Sequence, residues 1–516
     1  MPTTSVDVVV YGGTAAGVCA AVAAAEAGAS VVLLEPGRHV GGMTSGGLGY
    51  TDVGDPRALG GPATAFRAAV AEHYAVPVGR YAGPEPHVAE DIFSRWLDRA
   101  GVDVRLSAPL TGCDRRGSAI IAVRAGEAGS EREYRAAVFV DAGYEGDLLA
   151  AAGVPYRVGR ENRDLHGEQF AGRQELLPGR HNMPPWISPF VGDPTGEQEG
   201  ALLPQLNSAP LVDVGRGDGQ VMAYGYRVCL SSAPDRVPFD APEDDDPAYY
   251  ELGRRLFRRW ARDRVEVPAG RLVGLEPNLP GGLADGNSLG PFSLNVLDGS
   301  ASAYPDGDAA TRAAITEHHR RHTRGMLHFL AHDPEVPAAV RAEMQRWGYA
   351  PREFADTGHL PHQLYVREAR RMVGATVLTE ADLRAGVVPA DTVALGSYHL
   401  DVREVQRSWR WVHEHPRPIG MVFTEGYLSV PVPRYGIPYQ ALLPRREDCA
   451  NLVVPVCLSA SHVAFSSIRM EPQYQMLGHA AGIAAAHAAR RDGLVHDVPV
   501  ANLRRSLEET GQVLTT

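Results

Sequence analysis

The residues Gly12, Gly13, Thr14, Ala15, Ala16 and Gly17 spell GGTAAG between a β-branched run and an alanine-rich one, and Glu35 follows 18 residues after Gly17. This is a pattern for holding a dinucleotide. Gly12 permits a tight strand-to-helix turn, Gly17 lets helix and strand pack closely, and N–H groups at the helix start, aided by its dipole, bind a diphosphate. An acid about 20 residues beyond the last glycine hydrogen-bonds a ribose hydroxyl and repels the additional phosphate of NADP. The strict fingerprint has glycine where Thr14 stands, so a hydroxyl replaces one close backbone approach. Next comes GRHVGGMTSGGLG, with Pro36, Arg38 and Met43 in or beside it and Gly41, Gly42, Gly46, Gly47 and Gly49 within nine residues. Either this is a mobile loop, or its bare backbone approaches something bulky, such as the ribityl chain and isoalloxazine ring of FAD. Near the other end lie His462, Arg469 and Tyr474. Imidazole is a base that works near neutrality, and Arg is a fixed planar cation.

These residues need elements to position them. Residues 6–11 read as a buried parallel strand, the alanine-rich run as a helix with Gly28 at its C-cap, and residues 30–34 as a second strand ending at Glu35. That is a βαβ unit in the right order. Residues 85–101 form a capped helix with Val88, Ile92, Phe93, Trp96 and Leu97 on one face, and residues 477–489 form an alanine-rich helix thinned by Gly478, Ala481 and Gly482. The REARR segment places Arg367, Arg370 and Arg371 on a helix, Arg367 and Arg371 sharing a face. They serve either an anionic substrate or the cofactor's phosphates, or else a structural salt-bridge network. His318 and His322 stand one turn apart on a helix over 308–331, without an HExxH arrangement or a third carboxylate ligand, so no metal is expected.

Composition narrows the remaining choices. A chain of 516 residues implies two to four structural units. Its net charge is −12, and it has no basic block, which argues against nucleic acid. No lysine occurs at all, which excludes a pyridoxal phosphate Schiff base and a Walker phosphate loop. Five scattered cysteines without a CxxC pair point away from a disulfide framework or zinc site. With no signal peptide and no run of about 20 apolar residues, a cytoplasmic protein without membrane attachment is expected.

Four motifs, residues 11–47, 138–162, 364–383 and 455–489, resemble in order the bacterial FAD-dependent oxidoreductase family of the glutathione-reductase-like flavoprotein superfamily, across nearly the whole chain. The resemblance implies an α/β fold: an FAD-binding Rossmann-like domain of three ββα layers, with an inserted α+β substrate or cap domain. Residues 1–158 would be the first part of the FAD domain, 159–430 the insertion and 431–516 the returning part. A strand over 137–141 would bring Asp141 and Gly143 to the adenosine side. Strands near 103–106 and 118–123 would join the small three-stranded layer. The helix at 477–489 would point its N-terminus at the flavin pyrimidine edge, or serve close helix packing. The implied reaction is hydride removal from a C–H beside an alcohol or amine of a small polar substrate. His462 would be the base, unless it is a core histidine with satisfied hydrogen bonds. Arg469 would anchor a substrate carboxylate or flavin O2, with Tyr474, Glu471, His399 and Asp401 as further candidates. Noncovalent FAD is expected, although His39 could carry a link. Two alternatives are a flavin monooxygenase or halogenase supplied by a partner reductase, and a cofactor-binding protein without redox turnover. Substrate identity and oligomeric state are not legible.

Overall fold

A computed structural model describes residues 2–127, 129–175, 181–291, 294–414 and 416–515. Residues 178–180 of the first proline-rich stretch in the middle of the chain and 292–293 of the glycine-rich one lie outside the described residues. Strand β1 (Thr3–Tyr11) buries its last four residues and turns through Thr14 into helix α1 (Ala15–Glu26). Strand β2 (Val31–Leu34) then returns parallel to it, Val8–Tyr11 lying against Val31–Leu34. Unbroken β-branched runs of this kind are what a parallel sheet covered on both faces requires. Strand β3 (Asp103–Arg105) extends the sheet beyond β2.

On the other side of β1 lies a long strand, β6 (Ser130–Asp141), which runs parallel to it from Thr3 opposite Glu133 to Tyr11 opposite Asp141. Its two halves have different second partners. The first half closes an antiparallel meander with β4 (Leu110–Arg116) and β5 (Ala119–Glu127). The second half pairs parallel with β7 (Leu452–Val453), which arrives some three hundred residues later. The strand expected at 103–106 therefore belongs to the parallel sheet rather than the small layer. The layer takes 110–116 instead, a polar and half-exposed stretch with no apolar run to betray it.

The sheet is covered by α1, by α2 (Pro86–Ala100) and by α4 (Glu471–Ala489), which is preceded by the short α3 (His462–Ile468). Helix α4 begins six residues before the expected start at 477. Pro472 fits this earlier start, since proline is favoured in a first helical turn, where its missing N–H has no partner to lose. Gly478 and Gly482 face α1 so closely that an added Cβ would stand 2.0 Å from the Ala16 carbonyl oxygen and 2.1 Å from that of Ala20. The small residues of α4 are thus spent on helix packing.

The REARR segment is not a helix. Its residues are extended, and only Arg371–Met372 pairs, with Tyr156–Arg157. Good helix formers are overruled here by tertiary ion pairing, as the site geometry shows below. Beyond it three antiparallel ladders are nested: Thr392–Gly396 with Tyr435–Pro438, Leu400–Val402 with Leu428–Val430, and Gln406–Val412 with Ile419–Glu425. Together they make one long interrupted hairpin. The helix Ala309–His332 carries the two spaced histidines, but His318 bonds Asp298 at 2.7 Å and His322 bonds the Tyr249 hydroxyl at 2.7 Å.

Candidate active site

At the carboxyl end of β1 the expected dinucleotide turn is present. Gly12 has φ +94°, and an added Cβ there would lie 2.6 Å from the Gly143 nitrogen, so β1 and β6 meet through glycine on both sides. Thr14 does not project outward. Its hydroxyl donates to the Ala142 carbonyl at 2.7 Å and accepts from the Gly17 N–H at 3.2 Å, capping α1 and tying it to the end of β6. Glu35 folds back over the turn and accepts from the N–H groups of Gly13 at 2.6 Å and Gly37 at 2.5 Å. Burial pushes its carboxyl up to about 7 against those two bonds. Asp141 accepts from the N–H groups of Gly143 and Leu149, and burial raises it too to about 7. Pro36 and Arg38 are exposed, Arg38 pairing with Asp356 at 3.0 Å. His39 stacks on His362 and bonds Glu90.

The glycine-rich loop packs against the chain itself. Added Cβ atoms would stand 2.4 Å from the Tyr144 hydroxyl at Gly42, 2.5 Å from Gln363 Cβ at Gly46, and 2.2 Å from the Arg227 carbonyl at Gly47. Met43 donates its N–H to the Tyr144 hydroxyl. Glu471, on the first turn of α4, accepts from Thr44 at 2.7 Å and from Tyr144 at 2.9 Å, and burial raises it to about 7. Tyr474 is buried beside Tyr144. Gln473, next to Tyr474 in the chain, is buried with neither amide atom hydrogen-bonded among the described residues, an orphan that native structures rarely tolerate without a partner group.

The catalytic candidates divide. His462 lies outside the lining of the nearby cavity. Its Nδ1 bonds both oxygens of Glu368, at 2.8 and 2.9 Å, and its backbone N–H donates to Glu161. Arg371 completes this buried network by pairing with Glu161 at 2.5 Å and with Glu368. Against the upward push of burial, Arg371 and His462 hold Glu161 down to about 2. Arg370 leaves in another direction, to Asp147 at 2.8 Å. Arg469 instead reaches a cavity of about 490 Å³, where it bonds Asp401 at 2.9 Å and the Tyr365 hydroxyl at 3.4 Å. The breaks between the hairpin's ladders aim Tyr398, His399, Arg403 and Tyr427 into the same space, with Arg367 on another wall. Arg367 and the candidates His399 and Asp401 are therefore brought together with Arg469, while His462 and Tyr474 are not. Arg403 and Tyr365 went unnoticed in the sequence: Arg403 stands in none of the four motifs, and Tyr365, though inside 364–383, carries no signal of its own.

The model of the family described as FAD dependent oxidoreductase matches residues 7–507. The chain belongs to that family. The cofactor of that family is FAD. No curated protein matches the chain. Among solved structures it is similar to a geranylgeranyl bacteriochlorophyll reductase-like protein of Thermoplasma acidophilum, at 16% identity over 31% of this chain and 48% of that one, TM-score 0.21. It is also similar to the 3-ketosteroid-Δ4-(5α)-dehydrogenase of Rhodococcus jostii RHA1, at 20% identity over 30% and 50%, TM-score 0.20. A third is the myxobacterial chondrochloren halogenase, at 19% identity over 34% and 46%, TM-score 0.23. The chain spans about half the length of these structures. Among the described residues of this oxidoreductase no helix is long and apolar enough to cross a membrane.

The residues present fit the cofactor. The first turn of α1 starts beside Gly12, where an added Cβ would strike the Gly143 backbone, and among the described residues the buried Gln473 amide lacks a partner.

Proposed function

We propose that this oxidoreductase removes hydride from a C–H next to an alcohol or amine of a small polar substrate bound in the arginine-lined cavity. In this reading the 12–17 turn holds the diphosphate, Glu35 a ribose hydroxyl, and Gln473 a polar edge of the ring system. Bound FAD supplies the hydride acceptor and returns to its oxidised form by way of O2 or another acceptor. The observation that carries the reading is continuity: Arg469 and Met470, which lead into α4, are themselves walls of the cavity. The space for a substrate and the helix assigned to the cofactor share one segment.

His399 is the base best placed in that space. Its Nδ1 bonds the Ser429 hydroxyl at 2.8 Å, which fixes the ring and leaves the other nitrogen to take a proton from a substrate O–H or N–H. Burial raises the Tyr398 phenol far above its usual range, so it stays a donor. Anaerobic titration of the flavin-loaded protein with alcohols and amines tests the proposal. Loss of the oxidised-flavin absorbance without NAD(P)H supports it. Reduction that requires NAD(P)H and a reductase would replace it with the oxygenase or halogenase reading, and no reduction at all with binding alone.

A further inference from the structure

The cavity walls hold more positive charge than they balance. Arg367 comes from the extended segment before Arg371, Arg403 from a break in the hairpin, and Arg469 from the turn between α3 and α4. Three unrelated segments converge cations on one space. Asp401 pairs with Arg469 at 2.9 Å, and Glu404 lies 3.5 Å from Arg403 while also binding His181 at 2.8 Å. Among the described residues Arg367 pairs with no carboxylate; it donates to the Ala223 carbonyl and lies 4.1 Å over the Tyr365 ring. Among the same residues Nε of Arg367, Nε and Nη2 of Arg403 and Nε of Arg469 are buried without a hydrogen-bond partner.

Arg227 is matched by Asp285 at the cavity wall, and Asp52 and Arg271, both exposed, add one charge of each sign to the lining without an ion pair between them among the described residues. Three inner arginines against Asp401 and Glu404 leave one positive charge over. Burial, with Arg403 and Arg469 close by, pulls the Arg367 guanidinium down to about 9. A guanidinium does not give up its proton inside a protein, so the imbalance is relieved by an anion. The planar fork suits a carboxylate. Trp260, Val267, Leu272 and Leu289 provide an apolar wall in the same cavity.

We propose that the substrate carries one carboxylate, held by Arg367, Arg403 and Arg469, and an apolar body that rests against Trp260, Leu272 and Leu289. Its class is then a hydroxy or amino acid. This rests on the cavity being the substrate site, as proposed above. The test is binding of benzoate and of its neutral isostere benzamide to the flavin-loaded protein at low ionic strength, followed by tryptophan fluorescence. Benzoate is expected to bind about 10- to 100-fold tighter, the value of charge-assisted hydrogen bonds. Arg403→Met, once shown to retain flavin and fold, is expected to erase that preference, and Arg403→Lys to keep part of it. Equal binding of the two probes, saturation by neither, or an unchanged preference in Arg403→Met overturns the proposal. Should that variant fail to fold, the benzoate-to-benzamide ratio of the parent protein decides. Benzoate preference without flavin reduction by any substrate sinks the oxidation reading and keeps the carboxylate site. Flavin reduction by neutral alcohols as readily as by hydroxy acids does the reverse.

Discussion

Two neighbouring regions of this molecule are built on opposite plans. Around the dinucleotide turn, α1 and α4 touch through glycine and alanine, and the half-buried Glu35 and the buried Asp141 and Glu471 sit among neutral hydrogen-bond donors. Far along the chain, the segments carrying Arg371 and Arg403 build their contacts from ion pairs. The first plan fixes backbone and lets close approach do the work; the second fixes charge and leaves room. The difference shows in how burial acts on acids. It raises all three near the turn to about 7, whereas Arg371 and His462 hold Glu161 near 2.

The comparison breaks most sharply at Arg371. Replacing it by Met leaves Glu161 and Glu368 buried without their cation, and about 3–5 kcal/mol of stability should be lost in a denaturant melt. A loss below about 1 kcal/mol would mean the network is not held by charge. His399→Asn should lower the rate of flavin reduction by substrate about 100-fold while leaving the melting temperature unchanged. The neutral side is broken by bulk instead: Gly478→Val pushes α4 off α1 and should cost about 1–3 kcal/mol and part of the bound FAD, read by melting and by flavin content.

The two plans also respond oppositely to pH. Glu471 keeps its proton in the folded chain up to about 7, and its ordinary value is 4.5. Between those values the folded state holds the extra proton, so raising the pH favours unfolding. Glu471→Gln should therefore flatten the fall in stability between about pH 5 and 7, by roughly 1–3 kcal/mol at the upper end. Glu161 acts the other way: its contribution is present above about 4.5 and is lost as the pH falls towards 2. The smallest effect is expected at Thr14→Ala, where loss of the cap to Gly17 costs about 1 kcal/mol of thermal stability.

The neutral region was the legible one. The backbone amides proposed for the cofactor, and the glycines, strand and acid around them, are adjacent in the chain. The βαβ order, Glu35 and the bounds of α2 could be read because each is set by neighbours within a few turns. The charged region could not be read in the same way. REARR looks helical because its residues favour helix, and only the distant carboxylates of Asp147 and Glu161 and the carbonyl of Ala223 draw it into an extended course. His462 looked like a base because of its type and its place before α4, but it lies outside the cavity lining, in a buried ion network with Glu368, ninety-four residues away. Arg403 carries no local signal, since its place in the cavity comes from a break between paired ladders.

Strand β6 is shared between an early meander and a late arrival, β7, and that sharing sets an order of assembly. As the chain emerges from the ribosome, the first six strands can associate while the far edge of β6 stays open. Only after residue 453 is that edge covered, and only after residue 489 is α1 fully clasped. The region proposed for the cofactor is therefore among the last parts to mature, and a nascent or truncated chain would offer an unpaired strand edge, a template for aggregation.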